Sequence, residues 1–345
     1  MRNKVGKHFI LVFSLGAMVM AAAYARLPRF SARQLRKPPP KIIRTCCQFG
    51  SDVSMVGIPF RKVSAVTAPP LLGAHVYLGS KSEKNGIIYT HTGGFIDVGH
   101  LRDQADWTAF LYYHLRSNRD ASYYILHLGR EGADKKLIFY PSPELTDRDL
   151  LNIAGHIAFD LSMWHEISTW FGISYVPLIP ERYSSFSPED IYSNALGVLL
   201  GQRAIQSNDN YEEAMTEIID STLIALDAVP DIEQTKAAMN QVEGIWWSRK
   251  EKLPKGSFLI KRYYDAYRPL RPWLIPEDVD REPTVIRLEE FTERGKLLTD
   301  YYSLQFHTGY RIPVKRIFPD RQNKLLTNLD FPQVVQWIHK DVDKG

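Results

Sequence analysis

The spacing of apolar and polar positions along the chain predicts strands in its first part and helices in its centre. Four short apolar runs form two predicted β-hairpins: residues 74–78 with 87–90, and residues 123–128 with 136–140. Asn85-Gly86, at the end of the first connection, is a typical hairpin turn. Between the hairpins, residues 97–116 have the 3.6-residue periodicity of a helix.

From residue 146 to about 247 the periodicity is helical throughout. The predicted helices cover residues 150–171, a segment that starts at Ser187, residues 210–228 and residues 231–247. Thr146 and Ser187 each place a hydroxyl at a helix N-cap, with an acid three residues later. After residue 250 the chain becomes rich in Pro, Tyr and Arg, and a final helix is predicted at 331–342. This order predicts an α+β fold, a single domain over residues 46–345 with a predominantly helical centre and short β-hairpins.

The first 45 residues differ in composition from the rest, with ten Lys or Arg and no Asp or Glu. Basic residues precede an apolar stretch at 9–22, and Ala23-Tyr24-Ala25 fits a signal peptidase site. We predict a signal peptide over residues 1–25 and a basic, Pro-rich linker over residues 26–45. The alternative is an uncleaved anchor in the inner membrane, because residues 9–25 reach the short limit of a spanning helix.

Both alternatives predict a periplasmic or secreted location for the rest of the chain. The basic residues of 26–45 could make peripheral contact with anionic lipids, although the composition favours a solvated linker. Cys46 and Cys47 are adjacent, so a disulfide between them would be strained. Buried thiols and a redox-labile ring remain open as alternatives.

The charge of the predicted domain excludes one class of function. Residues 46–345 contain 33 basic and 39 acidic residues, a net charge of about −6. We expect no nucleic-acid binding, because that requires a clustered basic face. The sequence also contains no Gly-x-Ser-x-Gly elbow, phosphate-binding loop or dinucleotide fingerprint.

The helix at 150–171 gathers small and polar residues on one stripe, together with His165 and Glu166. A carboxylate and an imidazole in low dielectric need partners or a metal ion. A zinc peptidase would have a second His four residues after the first, where this chain has Thr169, so that class is excluded. A hydrogen-bonded core pair is the structural alternative.

A second group of candidate residues lies at the start of the helix at 97–116. His100 and Asp103 are one turn apart, a spacing that can ligate one Zn²⁺ or pair an imidazole with a carboxylate. Asn194 shares a helix face with Gly197 and Gly201, whose spacing lets another helix come close. Asn194 would brace that contact or orient a ligand.

Four sequence blocks, in this order, are similar to those of a bacterial exported family of unknown function, an envelope domain: RTCCQFG at 44–50, GFIDVGHLRD at 94–103, WHEISTWFG at 164–172 and FSPEDIYSNALG at 186–197. The resemblance implies an envelope protein but no established reaction or cofactor. The positions that it marks are His100, Asp103, His165, Glu166 and Asn194.

These observations predict an extracytoplasmic metal-dependent hydrolase that acts on an envelope or lipid-derived substrate. We expect His100, Asp103 and His165 to bind the metal, with zinc as the expected ion, and Glu166 to act as the general base. Asp97 and Asn194 would support the ligands or the substrate. The alternative is a non-catalytic envelope binding or scaffold protein with a buried His/Glu/Asp network.

Overall fold

The computed structural model describes residues 38–39, 44, 49–51, 65–173, 181–207, 209–250, 259–266 and 269–342. The predicted signal peptide at 1–25, most of the predicted linker at 26–45, and the Cys46-Cys47 pair lie outside these residues. Pro39 and Arg44, two described positions of the predicted linker, are buried, so both belong to the folded body. In the described part of the chain, no helix has the length and hydropathy to span a membrane.

The first two strands form a small antiparallel hairpin. Strand β1 (Ile87–Thr90) pairs with β2 (Gly94–Asp97), with Ile87 opposite Asp97. The predicted pairing of residues 74–78 with 87–90 is therefore wrong. The backbone N–H groups of residues 75–78 instead donate to the side chains of Thr216, Glu83, Glu212 and Asp106. These amides are already bonded and cannot join a strand ladder.

The helix predicted at 97–116 is confirmed as α1 (Val98–Ser117), which begins directly after β2. Asp97 is its N-cap, and its Oδ1 atom accepts from the backbone N–H groups of Gly99 and His100. One aspartate therefore joins the hairpin to the helix and holds the first turn of α1 in place.

The second predicted hairpin is also confirmed, and it forms half of a four-stranded antiparallel sheet. Strands β3 (Tyr124–Glu131) and β4 (Ala133–Phe139) pair with each other, and the sheet continues with β5 (Tyr302–Thr308) and β6 (Leu325–Thr327). The buried side chains of this sheet face the helices. Phe306 stacks on Trp164 with a centroid distance of 4.2 Å.

The predicted helical centre is confirmed with changed bounds. The remaining helices are α2 (Asp147–Trp170), α3 (Asp190–Gln206), α4 (Tyr211–Ala225), α5 (Ile232–Gln241), the short α6 (Val314–Ile317) and α7 (Phe331–Val342). Thr146 and Asp149 form the predicted capping box. Ser187 does not cap α3, because its hydroxyl donates to the carboxylate of Glu189 and the helix begins at Asp190.

Helix α1 packs closely against α3 at two glycines. A Cβ atom at Gly197 would lie 2.1 Å from the carbonyl oxygen of Leu101, and one at Gly201 would lie 2.8 Å from the Cα of Ala105. The close approach predicted from the spacing of these glycines is thus confirmed, as is the α+β fold. The contact brings the amino-terminal ends of α1 and α3 together, and α2 packs against both.

Candidate functional site

A group of three side chains that could ligate a metal lies where α1 and α3 begin. Asp97 precedes α1, His100 lies in its first turn, and Asp190 is the first residue of α3. The Nδ1 atom of His100 is 2.7 Å from Oδ1 of Asp190 and 3.8 Å from Oδ2 of Asp97. One ligand atom from each residue lies within 4.8 Å of the others. This geometry could hold one metal ion.

One carboxylate oxygen of this group is buried without a hydrogen bond from any described residue. Asp97 uses Oδ1 for the helix cap, and its Oδ2 atom accepts no hydrogen bond. Oδ1 of Asp190 has the His100 imidazole as its partner, with Nδ1 2.7 Å away. Buried oxygens normally have partners, because an unmet acceptor is costly. A cation at this site would satisfy Oδ2 of Asp97 and would also offset the charge of Asp190.

His165 lies beside this group and is oriented by a carboxylate. Its Nδ1 atom is 2.7 Å from Oε1 of Glu131, whose other oxygen accepts from Lys135 at 2.6 Å. Burial opposes ionisation of Glu131, but the charge of Lys135 and the contact with His165 outweigh it, so the pKa of Glu131 lies well below its usual range. Glu131 therefore stays ionised and fixes the imidazole ring.

The predicted imidazoles of His100 and His165 are brought to one site, with ring centroids 6.4 Å apart. The side chain of His165 is 25% exposed and that of His100 is 12% exposed. Solvent therefore reaches this site from the side of His165.

Glu166 is buried next to the two imidazoles. Its Oε2 atom accepts from the backbone N–H of Phe186 at 2.5 Å. Burial, and then the charge of Asp190, raise the pKa of Glu166 to about 7, although His165 and His100 oppose this rise. A carboxyl group with such a pKa can take up and release a proton near neutral pH.

The site carries more negative charge than its protein partners neutralise. Four carboxylates are almost fully buried here: Asp97, Glu166, Glu189 and Asp190. Among the described residues, no Lys or Arg forms an ion pair with any of them; the cationic groups near them are His100, His165 and Arg262, whose charge interacts with that of Glu166. Burial, and then the charge of Asp190, raise the pKa of Glu189 well above its usual range. Such a cluster must bind protons or a cation.

Asp103, which we predicted as a metal ligand, lies in a different environment. Its carboxylate accepts from Nη1 of Arg44 at 2.9 Å, in a network that includes Glu83 and Asp106. The acids that group with His100 are instead Asp97, which we predicted only as a supporting residue, and Asp190. Asp103 is one turn further along α1 than His100 and is turned towards Arg44.

Asn194 lies one turn after Asp190 on the same face of α3. It is 2% exposed, and its Oδ1 atom has no hydrogen bond from the described residues. The sequence contained a signal for Asp190. It lies four residues before Asn194, so it continues the helix face of Asn194 and Gly197 by one turn towards the start of α3. Glu131, at the end of β3, had no comparable signal in the sequence.

Comparisons with curated proteins and with solved structures found no match. A family model described as "Protein of unknown function (DUF4056)" matches residues 34–276, more than two thirds of the chain. The matched range includes every residue of the candidate site. The chain therefore belongs to this family of unknown function.

Proposed function

We propose that the protein is a metal-dependent hydrolase whose ion is held by Asp97, His100 and Asp190. The observation that carries this proposal is the convergence of their ligand atoms within 4.8 Å. One imidazole nitrogen and two carboxylate oxygens suit zinc or another divalent transition ion. Three protein ligands leave a coordination position for water or substrate, as in catalytic rather than structural sites.

The charge of the surrounding residues supports a divalent cation. The buried carboxylates repel each other, and each that stays ionised without a partner is costly. A divalent ion would offset this charge, and when bound it would activate water and polarise the substrate. The carboxylate oxygens of Asp97 and Asp190 lie close enough to each other and to His100 to ligate one ion.

Glu166 is the general base in this proposal. Its pKa of about 7 lets it accept the proton of an attacking water molecule and release it again at neutral pH. The hydrogen bond from Phe186 holds one carboxylate oxygen, so the side chain keeps a defined position while it exchanges the proton.

His165 is the general acid. Glu131 accepts from Nδ1, which makes Nε2 the nitrogen that exchanges a proton with the substrate. The negative charge of Glu131 stabilises the protonated imidazole, which gives its proton to the leaving group as the scissile bond breaks.

We further propose an extracytoplasmic location and an envelope or lipid-derived substrate. The apolar stretch at 9–22 and the small-residue site that follows it support export. The resemblance of the four sequence blocks to an exported family supports the same location.

The hydrolase proposal is tested with ester and amide substrates, on protein treated with chelator and then supplied with zinc. We expect activity to require zinc, and Glu166→Gln to lower the rate about 10²- to 10⁴-fold while zinc content is kept. Asp103→Asn is the control, because Asp103 is an acid on α1, one turn from His100, but outside the site. The Asp103→Asn variant should keep both the zinc content and the hydrolysis rate of the unmodified protein.

A different result would favour the scaffold alternative. If chelation changes neither stability nor activity, and Glu166→Gln only lowers the melting temperature, the buried groups are a structural network and the hydrolase proposal is wrong.

A further inference from the structure

A pair of arginines lies one helical turn from Glu166. Trp170 follows Glu166 by four residues on α2, about 6 Å further along the axis. The Arg182 guanidinium is 4.8 Å from the centroid of the Trp170 ring, and that of Arg262 is 5.2 Å from it. One indole ring thus holds two cations beside the acidic site.

These two arginines have no carboxylate partner in an ion pair among the described residues. Arg262 donates instead to the backbone carbonyls of Ser185 and Tyr183. Burial lowers the pKa of Arg262; Tyr264 and Glu166 oppose this effect, and the like charge of Arg182 adds to it. A half-buried guanidinium beside a second one is unfavourable unless an anion lies between or next to them.

The arrangement is held in place before any ligand binds. Arg262 is fixed by the two carbonyls and by the indole ring, and the same segment continues to Phe186, whose N–H donates to Glu166. Two carbonyl contacts leave further N–H groups of Arg262 to donate to an anion, since a guanidinium has five. Arg182 is exposed to solvent. The planar fork of a guanidinium matches the oxygens of a phosphoryl or carboxylate group.

We propose that Arg182 and Arg262, stacked on Trp170, bind an oxyanion of the substrate, a phosphoryl or carboxylate group, next to Glu166. This inference rests on the proposed function for the statement that the anion belongs to a substrate. The substrate would then carry its negative charge about one helical turn from the bond that is cleaved.

The test is a titration of the full chain with inorganic phosphate, followed by ³¹P NMR, in the presence of chelator. Arg182→Gln should weaken phosphate binding at least about tenfold. Arg249→Gln is the matched control, because Arg249 also stacks on a tryptophan, at 5.3 Å from the Trp247 ring, but pairs with Glu243 at 3.0 Å. It should bind phosphate like the unmodified protein. Arg182→Lys, which keeps the charge but loses the fork, should give an intermediate affinity.

Acetate competition identifies the preferred oxyanion: displacement of phosphate at similar concentrations indicates a carboxylate site, and no displacement indicates a phosphoryl site. The proposal is overturned if the unmodified protein binds neither anion, or if Arg182→Gln binds phosphate unchanged. Binding that appears only after zinc is added, and does not depend on Arg182, also overturns it. Because the first titration contains no metal, its result is independent of whether the metal site exists.

Discussion

Replacing Arg44 by Met tests how the amino-terminal segment is held to the folded body. The Arg44 side chain is fully buried, and its Nε and Nη2 atoms donate to the two carboxylate oxygens of Glu83 at 2.8 Å each. Its Nη1 atom donates to Asp103 at 2.9 Å and to Asp106 at 2.8 Å. Met keeps the unbranched aliphatic stem of the side chain but removes the guanidinium. Glu83, Asp103 and Asp106 are then left without the cation that they share.

The expected loss of unfolding free energy can be calculated from the pKa values of two of these acids. Burial opposes ionisation of Glu83 and Asp106, but Arg44, helped by His75 at Asp106, lowers both pKa values to about 2. From the ordinary values of 4.5 and 3.8, these changes correspond to about 3 and about 2 kcal/mol. One guanidinium serves both acids, so the two energies overlap. We therefore expect Arg44→Met to lower the free energy of unfolding by about 3–5 kcal/mol at pH 7.

The assay is urea unfolding at several pH values. Glu83 and Asp106 stabilise the native protein above their unfolded pKa values, and this stabilisation is lost as pH falls towards about 2. In the variant these acids take up protons more readily, so its deficit should shrink between pH 7 and pH 3. Arg249→Met, at an exposed pair with Glu243, should lose less than about 1 kcal/mol. A deficit below about 1 kcal/mol for Arg44→Met, or one that does not change with pH, would refute this reasoning.

Two further predictions concern helix packing and proton binding. Gly197→Ala should destabilise the protein by about 1–3 kcal/mol in urea unfolding, because its Cβ would lie 2.1 Å from the Leu101 carbonyl oxygen. Gly309→Ala is the control, because only one atom lies within 4 Å of its added Cβ, and it should change stability by less than about 0.5 kcal/mol. Equal losses of stability in the two variants would contradict the close contact between α1 and α3. Because the folded pKa of Glu166 is raised to about 7, the melting temperature of the chelated protein should fall as pH rises from about 4.5 to about 7. Glu166→Gln should flatten this slope, and a melting temperature that rises over the same window would contradict the raised pKa.

Elements encoded by neighbouring residues could be predicted from the sequence. The capping box of Thr146 and the hairpin of β3 and β4 depend on residues close in the chain, and both are confirmed. Residues 74–78 have the apolar alternation of a strand, but their amides bond to side chains that include Glu212 and Thr216, more than 130 residues away. No local pattern contains that information.

The site could be predicted only in part for the same reason. His100, His165 and Glu166 were identified from their polarity on apolar helices, and the structure places them together. Asp103 has the right spacing from His100, but its orientation depends on Arg44, a residue predicted to lie in the linker. Asp190 enters the site through the packing of α3 against α1, a contact between distant parts of the chain.

The central claim, a metal ion held by Asp97, His100 and Asp190, is tested most directly by zinc titration of chelated protein with isothermal calorimetry. We expect one zinc per chain in the unmodified protein and in Asp103→Asn, and affinity reduced at least about a hundredfold in Asp190→Asn. No zinc binding by the unmodified protein, or equal affinity in Asp190→Asn, would contradict the account.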